Sequence, residues 1–192
     1  MKLCFVTTNQ DKFREVHFLA KKYAISLQQE VHKLVEPDFD TLEEVSHYKC
    51  IEAYKFLQKP LVVDDSGFFF EAFNEFPGVH SAWVYKKIGK DGLFKLLEGK
   101  SRQAYAKTAC SYTEDGINVK TFTGILKGNI ISSNKETILD GSSFPYSYLF
   151  IPEGKERPLI EMSLDEICQI DHRSKAFKAL FKTLSVIDDA LL

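Results

Sequence analysis

The chain has 192 residues, 44% of them apolar and 13% aromatic, which supplies the core of one domain and excludes a mainly disordered state. Its 25 Lys and Arg against 27 Asp and Glu leave a formal charge of −2, which excludes a general electrostatic pull toward nucleic acid or an anionic membrane. A local basic cleft is still compatible with that balance.

In chain order, Lys2 to Thr7 reads as a short buried strand, and Gln10 to Tyr23 as a helix with Phe13, Val16, Phe18, Leu19 and Tyr23 at its apolar positions. Ser26 to Val31 is a weaker second strand. Thr41-Leu42-Glu43-Glu44 has the form of a capping box, with Thr41 as N-cap and Glu44 three positions on. The helix it opens carries Leu42, Val45, Cys50, Ala53 and Leu57, Lys59-Pro60 stops it, and Leu61 to Val63 is a compact apolar strand. This alternation of strand and helix predicts an α/β protein with parallel strands in its first part. Gln103 to Thr113 and Ile117 to Leu126 are extended runs around Glu114-Asp115-Gly116, which is hairpin chemistry. Tyr146 to Ile151 is a third extended run ending at Pro152-Glu153-Gly154. A helix from about Arg173 to Leu184, built on Ala176, Phe177, Leu180, Phe181 and Leu184, closes the pattern. The expectation is one domain over residues 1–192, a mixed sheet with an antiparallel portion, flanked by helices.

Cys4, Cys50, Cys110 and Cys168 are far apart and form no Cys-x-x-Cys pair, so buried reduced thiols are expected rather than a zinc or dithiol site. The apolar run at Met1 to Val6 is too short for a signal peptide, and no run approaches the about 18 apolar residues of a membrane span. A soluble, cytoplasmic protein is expected.

Three segments carry candidate chemistry. Thr7-Thr8-Asn9-Gln10-Asp11-Lys12 stands where the first strand hands over to the first helix, the place where open α/β sheets collect ligands. A helix N-terminus with hydroxyls, an amide and a lysine suits a polyphosphate, although no glycine is present and this is not a Walker loop. Ordinary capping by Asn9 with a solvated Lys12 accounts for the same residues. Second, Val63-Asp64-Asp65-Ser66-Gly67 puts two repelling carboxylates at the end of an apolar strand. Strand neighbours point to opposite faces, so one enters a cleft most easily, and a hard cation is the usual partner of carboxylates near phosphates. A solvated strand end with Asp65 capping a helix is the alternative. Third, Asp171-His172-Arg173-Ser174-Lys175 sets positive groups at a helix start, where they oppose the macrodipole; a base or phosphate contact, or a solvent-facing basic turn, explains them. His17, His32, His47 and His80 form no ligand spacing.

Together these segments resemble the inosine/xanthosine triphosphate pyrophosphatase family, from Met1 to about Leu184. Thr7 to Glu15 is similar to that family's T-x-N-x-x-K-x-x-E, Val63 to Phe68 to its Asp-Asp-Ser-Gly segment, and Phe76-Pro77-Gly78-Val79-His80-Ser81 to its F-P-G-x-x-S. The resemblance implies an elongated α/β fold of two lobes about a cleft, usually a homodimer. It implies magnesium-dependent attack of water between the α- and β-phosphates of non-standard purine nucleoside triphosphates (ITP, dITP, XTP), releasing the monophosphate and pyrophosphate. By position, Asn9 and Lys12 would hold the triphosphate with Thr7 and Thr8 in the same loop, and Lys49 would be a further phosphate contact. Glu36 and Asp64 would bind the metal. Asp65 would join them there and orient or deprotonate the water, with Ser66 in the same loop. His172 and Arg173 match a pair that reaches purine and phosphates, and Phe144 and Tyr146 are aromatic residues for base stacking.

The base end departs from the family pattern. Ser143-Phe144-Pro145-Tyr146-Ser147-Tyr148 stands where relatives have G-F-G-Y-D-P, so an aspartate has become Ser147. A lysine position is Ile167, its neighbour Cys168, the serine before His-Arg is Asp171 and the following glycine Ser174. The phosphate and metal end is thus expected to be kept and the base pocket altered. Two further readings stay open: the same chemistry on a different or modified nucleotide, and a nucleotide-binding protein that has lost catalysis.

Overall fold

Every residue of the first strand, β1 (Lys2–Val6), after Lys2 is buried: Leu3 and Phe5 pack into one apolar cluster, Cys4 and Val6 into another on the opposite face. A strand covered on both faces reads as a continuous apolar run, which is why this one stands out in the sequence. The computed structural model describes residues 2–132 and 145–190, the last five by backbone only. After β1 come α1 (Gln10–Lys21), β2 (Ser26–Glu30), α2 (Leu42–Leu57), β3 (Leu61–Phe70), β4 (Pro77–Gly78) and α3 (Ser81–Leu96). They are followed by β5 (Gln103–Thr113), β6 (Val119–Ile130), β7 (Phe150–Pro152), α4 (Leu164–Ile170) and α5 (His172–Ala190). The sheet runs β2-β1-β3-β5-β6-β7, with β4 on β3; β1 is parallel to β2 and β3, and the other pairings are antiparallel. It is the expected mixed sheet flanked by helices.

Three long strands span two packing centres. At one end, α1 and α5 cover one face of the sheet through Val16, Leu19, Ala176, Phe177, Leu180 and Phe181, while α2 covers the other through Cys50 and Ala53. At the far end Phe68 and Phe70 pack with Leu93, Leu97, Leu126, Tyr146 and Phe150. Asp64 to Gly67 lie between the two, in the middle of β3.

Several boundaries differ from the sequence expectation. The third strand does not end at Val63 but continues through both aspartates to Phe70, because β5 pairs with it along its whole length. Asp65 therefore caps no helix. β6 starts at Val119, not Ile117: the Asp115 carboxylate accepts the Ile117 and Asn118 amides, which closes the turn and moves pairing inward. Residues 145–148 are a 3₁₀ turn rather than strand, since the buried Tyr146 carbonyl accepts the Leu149 amide, and only Phe150–Pro152 pair with β6. α3 and α4 were not anticipated. α4 opens with a capping box between Ser163 and Glu166, and α3 is broken at Gly89, whose φ of 61° is left-handed.

Two glycines allow close approaches. A Cβ on Gly67 would meet the Gly78 carbonyl oxygen at 2.5 Å, so β4 seats on β3 only because that side chain is absent. A Cβ on Gly124 of β6 would meet the His172 carbonyl oxygen at 2.1 Å and the Ala176 nitrogen at 2.7 Å, so the first turn of α5 rests directly on the sheet. Among the described residues no helix is long and apolar enough to cross a membrane. We expect Gly124→Ala to lose about 1–3 kcal/mol of stability, the usual cost of forcing extra volume into a packed site. A urea unfolding curve checks this; an unchanged midpoint contradicts the direct contact.

Candidate active site

The pivot of the site is the pair Asp64 and Asp65. Strand alternation sends them to opposite faces of β3, and each face offers cations from a different helix. Asp64, whose side chain is 1% exposed, accepts Lys12 Nζ from α1 at 3.1 Å and Arg173 Nε from α5 at 3.2 Å. Burial opposes its ionisation, but the two cations outweigh burial and hold its carboxyl below the usual carboxylate range. Asp65 accepts Lys49 Nζ from α2 at 2.9 Å, and that ammonium also reaches Glu36 at 2.6 Å. For Asp65 burial prevails over the lysines, so its carboxyl titrates above the ordinary aspartate range. One aspartate is thus a fixed anion and its neighbour a proton acceptor of raised basicity.

The entry to α1 is built for capping. Asn9 Oδ1 accepts the Asp11 amide at 2.9 Å and the Lys12 amide at 3.1 Å, and Thr7 Oγ1 accepts the Asn9 amide at 3.2 Å. One turn on, Glu15 is ion-paired with Arg173 Nη1. Burial raises the Glu15 carboxyl, partly offset by that guanidinium. Arg173 is itself only 5% exposed, and its third nitrogen, Nη2, lies 3.3 Å from Ser66 Oγ. The start of α5 carries its own counter-charge: buried Asp171 accepts the Arg173 amide at 3.0 Å and pairs with His172 Nδ1. An acid there offsets the cations that would otherwise oppose the helix dipole.

A cavity of about 620 Å³ opens onto these groups. Its lining combines polar and charged groups, among them Asn9, Lys12, Glu15, Glu36, Asp65, Asp171, His172 and Arg173, with the apolar Val79, Ala82, Leu159, Ile160 and Ile167 and with Ser147 and Tyr148. Among the described residues no three His, Cys, Asp or Glu side chains are grouped as a metal cage.

Of the residues singled out from sequence, Asn9, Lys12, Glu36, Asp65, Ser66, Tyr146, His172 and Arg173 line this cavity, and Ser66 sits at its rim on β3. Lys49 and Asp64 join through their ion pairs; Thr7 lies buried behind Asn9, and Thr8 is exposed. Three expectations need correction. Asp64 does not converge with Glu36 and Asp65, because alternation turns it to the opposite face, onto Lys12 and Arg173. Arg173 is not a solvent-facing basic group: it is buried, and three of its five N–H donors meet Asp64, Glu15 and Ser66, while it also lines the cavity. Tyr146 is fully buried, stacked on Phe68 with centroids 4.5 Å apart, and its hydroxyl donates to the Ser81 carbonyl at 2.9 Å. That ring face is committed to the core rather than to a base. Phe144 lies outside the described residues. Sequence reasoning missed roles for Glu15, which shares the i, i+3 face of α1 with Lys12, and for Asp171, quoted in the third segment and as a substituted serine but given no task. Ser81 was quoted inside a motif with no task assigned. Its hydroxyl lies within hydrogen-bond reach of the amide and the carbonyl of Phe68 and of the Gly78 carbonyl, tying the start of α3 to β3 and β4.

Residues 3–183 match the model of the Ham1 family, and the chain belongs to it. It is 42% identical to a dITP/XTP pyrophosphatase of Saccharolobus solfataricus, over 92% of this chain and 90% of the relative. It is 36% identical to a dITP/XTP pyrophosphatase of Pyrococcus horikoshii, over 97% and 98% of the two chains. Among solved structures, a HAM1 protein from Coxiella burnetii superposes with a TM-score of 0.80 at 22% identity, over 96% of this chain and 98% of that one. The Staphylococcus aureus Ham1 protein gives 0.77 at 22% identity with the same coverage. These two share the fold.

Removing one member of a buried charge cluster strands the rest. Arg173→Met is therefore expected to cost about 3–5 kcal/mol of unfolding free energy, leaving Glu15 and Asp64 short of a partner. Lys12→Met, at a side chain 19% exposed, is expected to cost less. Equal effects of the two in urea denaturation contradict the central place given to Arg173.

Proposed function

We propose that this Ham1-family protein is a nucleoside triphosphate pyrophosphohydrolase acting on the non-standard purine nucleotides ITP, dITP and XTP, cutting between the α- and β-phosphates. The observation that carries the reading is the divided aspartate pair on β3, each member matched to a lysine from a different helix beside the α1 N-terminus. Dispersing the charge of a triphosphate under attack takes cations that are already in place. Lys12 and Lys49 are such cations, both held near the cavity by carboxylates that a phosphate can replace. The raised basicity of Asp65 suits it to take the proton of an attacking water. Its position beside Lys49 keeps the carboxylate aimed while that proton is transferred.

The donor set fits magnesium. Glu36 and Asp65 come from different segments and converge on one ammonium, which marks a point where two carboxylates already hold a cation. Magnesium takes one or two carboxylates, with phosphates and water completing its shell. Bound there, it neutralises charge on the phosphates. Glu36 and Asp65 are the residues assigned to hold it. The reading includes a cytoplasmic homodimer, for which sedimentation velocity tests the association.

One observation favours a wider substrate range. Ile167, Ile160 and Leu159 are apolar members of the cavity lining, where hydrogen-bonding side chains would discriminate a base most sharply. An apolar pocket separates related ligands by roughly 10–200-fold, whereas one built on hydrogen bonds reaches about 10⁴ or more. The same chemistry on a modified purine is the second reading.

Pyrophosphate release with magnesium across standard and deaminated triphosphates tests both. The first reading expects dITP and XTP to head the panel; another nucleotide at the head selects the second. Asp65→Asn is expected to lower kcat by about 10²–10⁴, the usual contribution of a general base, while the protein stays folded by circular dichroism. Full turnover in that variant overturns the assignment of Asp65.

A further inference from the structure

Ser66, half-buried at the cavity rim, faces Thr108 directly across the ladder between β3 and β5, and Thr108 is fully buried. Their hydroxyl oxygens are 2.7 Å apart. Ser66 Oγ also lies 3.3 Å from Arg173 Nη2 and 3.4 Å from Asp64 Oδ2.

Proton counting orders these bonds. A hydroxyl has one proton and two lone pairs, and a guanidinium has only protons to give. One Ser66 lone pair therefore accepts from Arg173. Among the described residues Thr108 Oγ1 has no hydrogen-bond partner but Ser66. In a dry site an unmatched donor costs more than an unused lone pair, so Thr108 donates and fills the second lone pair of Ser66. What remains is the Ser66 proton, directed at Asp64 across 3.4 Å, a long and easily surrendered bond. Asp64 keeps Lys12 and Arg173 if that bond is lost.

We propose that Thr108 is a positioning residue for the hydrolysis, holding Ser66 as an obligate hydrogen-bond donor to the phosphate oxygens of the substrate. With both lone pairs of Ser66 occupied from behind, no rotation of its hydroxyl presents a lone pair to an anion. As the polyphosphate enters, the Ser66 hydrogen bond passes from Asp64 to a phosphate oxygen, and a charged acceptor strengthens it. The identity of the ligand rests on the hydrolase reading above; the order of the hydrogen bonds does not.

Thr108→Val keeps the shape of the side chain and removes its proton. It is expected to raise KM for magnesium-dITP about five- to tenfold with kcat within about twofold, because this contact is made alike in ground and transition states. Thr108→Ser restores the hydroxyl and returns KM to within about twofold of the parent. Titration calorimetry with inorganic tripolyphosphate reads the same contact without turnover, and its Kd is expected to rise by the same factor in Thr108→Val and recover in Thr108→Ser. If Thr108→Val does not fold, Thr108→Ala takes its place in both measurements. Unchanged KM and Kd in the apolar variant overturn the proposal, as does a serine variant as impaired as the apolar one, or a parent protein that binds no tripolyphosphate. A parent that binds tripolyphosphate but cleaves no nucleotide instead overturns the functional reading, and the calorimetry then decides the role of Thr108 alone.

Discussion

Two adjacent carboxylates in the middle of a strand buried on both faces are a severe electrostatic constraint, and the site is organised around it. Neither Asp64 nor Asp65 can be moved without breaking the pleat, and neither can be left in a low-dielectric interior without a counter-charge. Alternation divides the burden: Lys12 and Arg173 meet Asp64 on one face, Lys49 meets Asp65 on the other. The cations come from α1, α5 and α2, so three helices are bound to the sheet by charge as well as by apolar packing. The unequal outcome is the chemically useful part. Two cations keep Asp64 ionised, whereas burial dominates at Asp65 and leaves it more basic.

Arg173 carries this constraint across the molecule. It joins α5 to α1 through Glu15 and to β3 through Asp64 and Ser66, and it reaches them because Gly124 lets the first turn of α5 lie against β6. The small residues of the sheet are therefore as much a part of the site as its charges. The same holds for Gly67 and Ser81, which bring β4 and the start of α3 onto β3 at the cavity edge.

Most of the architecture was legible in the sequence because its first half obeys simple periodicities. β1, α1, α2 with its capping box, and β5 follow from apolar spacing and end signals, and β5 was placed to the residue. The length of β3 was not legible: two aspartates, a serine and a glycine read as a strand end, and only pairing with β5 along all ten residues carries the strand through them. The turn at residues 145–148 was hidden for the opposite reason. Tyr146 and Tyr148 look like strand residues by propensity, while the burial of Tyr146 against Phe68 fixes a 3₁₀ turn instead. At the site, residue types and spacing picked out Lys12, Asp64 and Asp65, and the family resemblance added Lys49, but neither gave their pairing. Which lysine serves which aspartate depends on strand faces and helix placement, and these exist only in three dimensions.

The charged and the apolar parts of the cavity lining differ in how freely they can change, for a physical reason. Among the charged groups, removing Arg173 leaves buried Asp64 and Glu15 short of a partner and is costly, whereas losing Lys12 still leaves Asp64 with Arg173. Ile167, Leu159 and Ile160 can offer a ligand only dispersion and apolar contact, and exchanging one such side chain for another of similar volume changes energy by small increments. The resemblance read from the sequence sets Ser147 and Ile167 off the family pattern and Lys12, Asp64 and Asp65 on it. On the proposed function, such a lining would keep its phosphate chemistry while its choice of base varied, because its charges are tied to the fold and its apolar contacts are not.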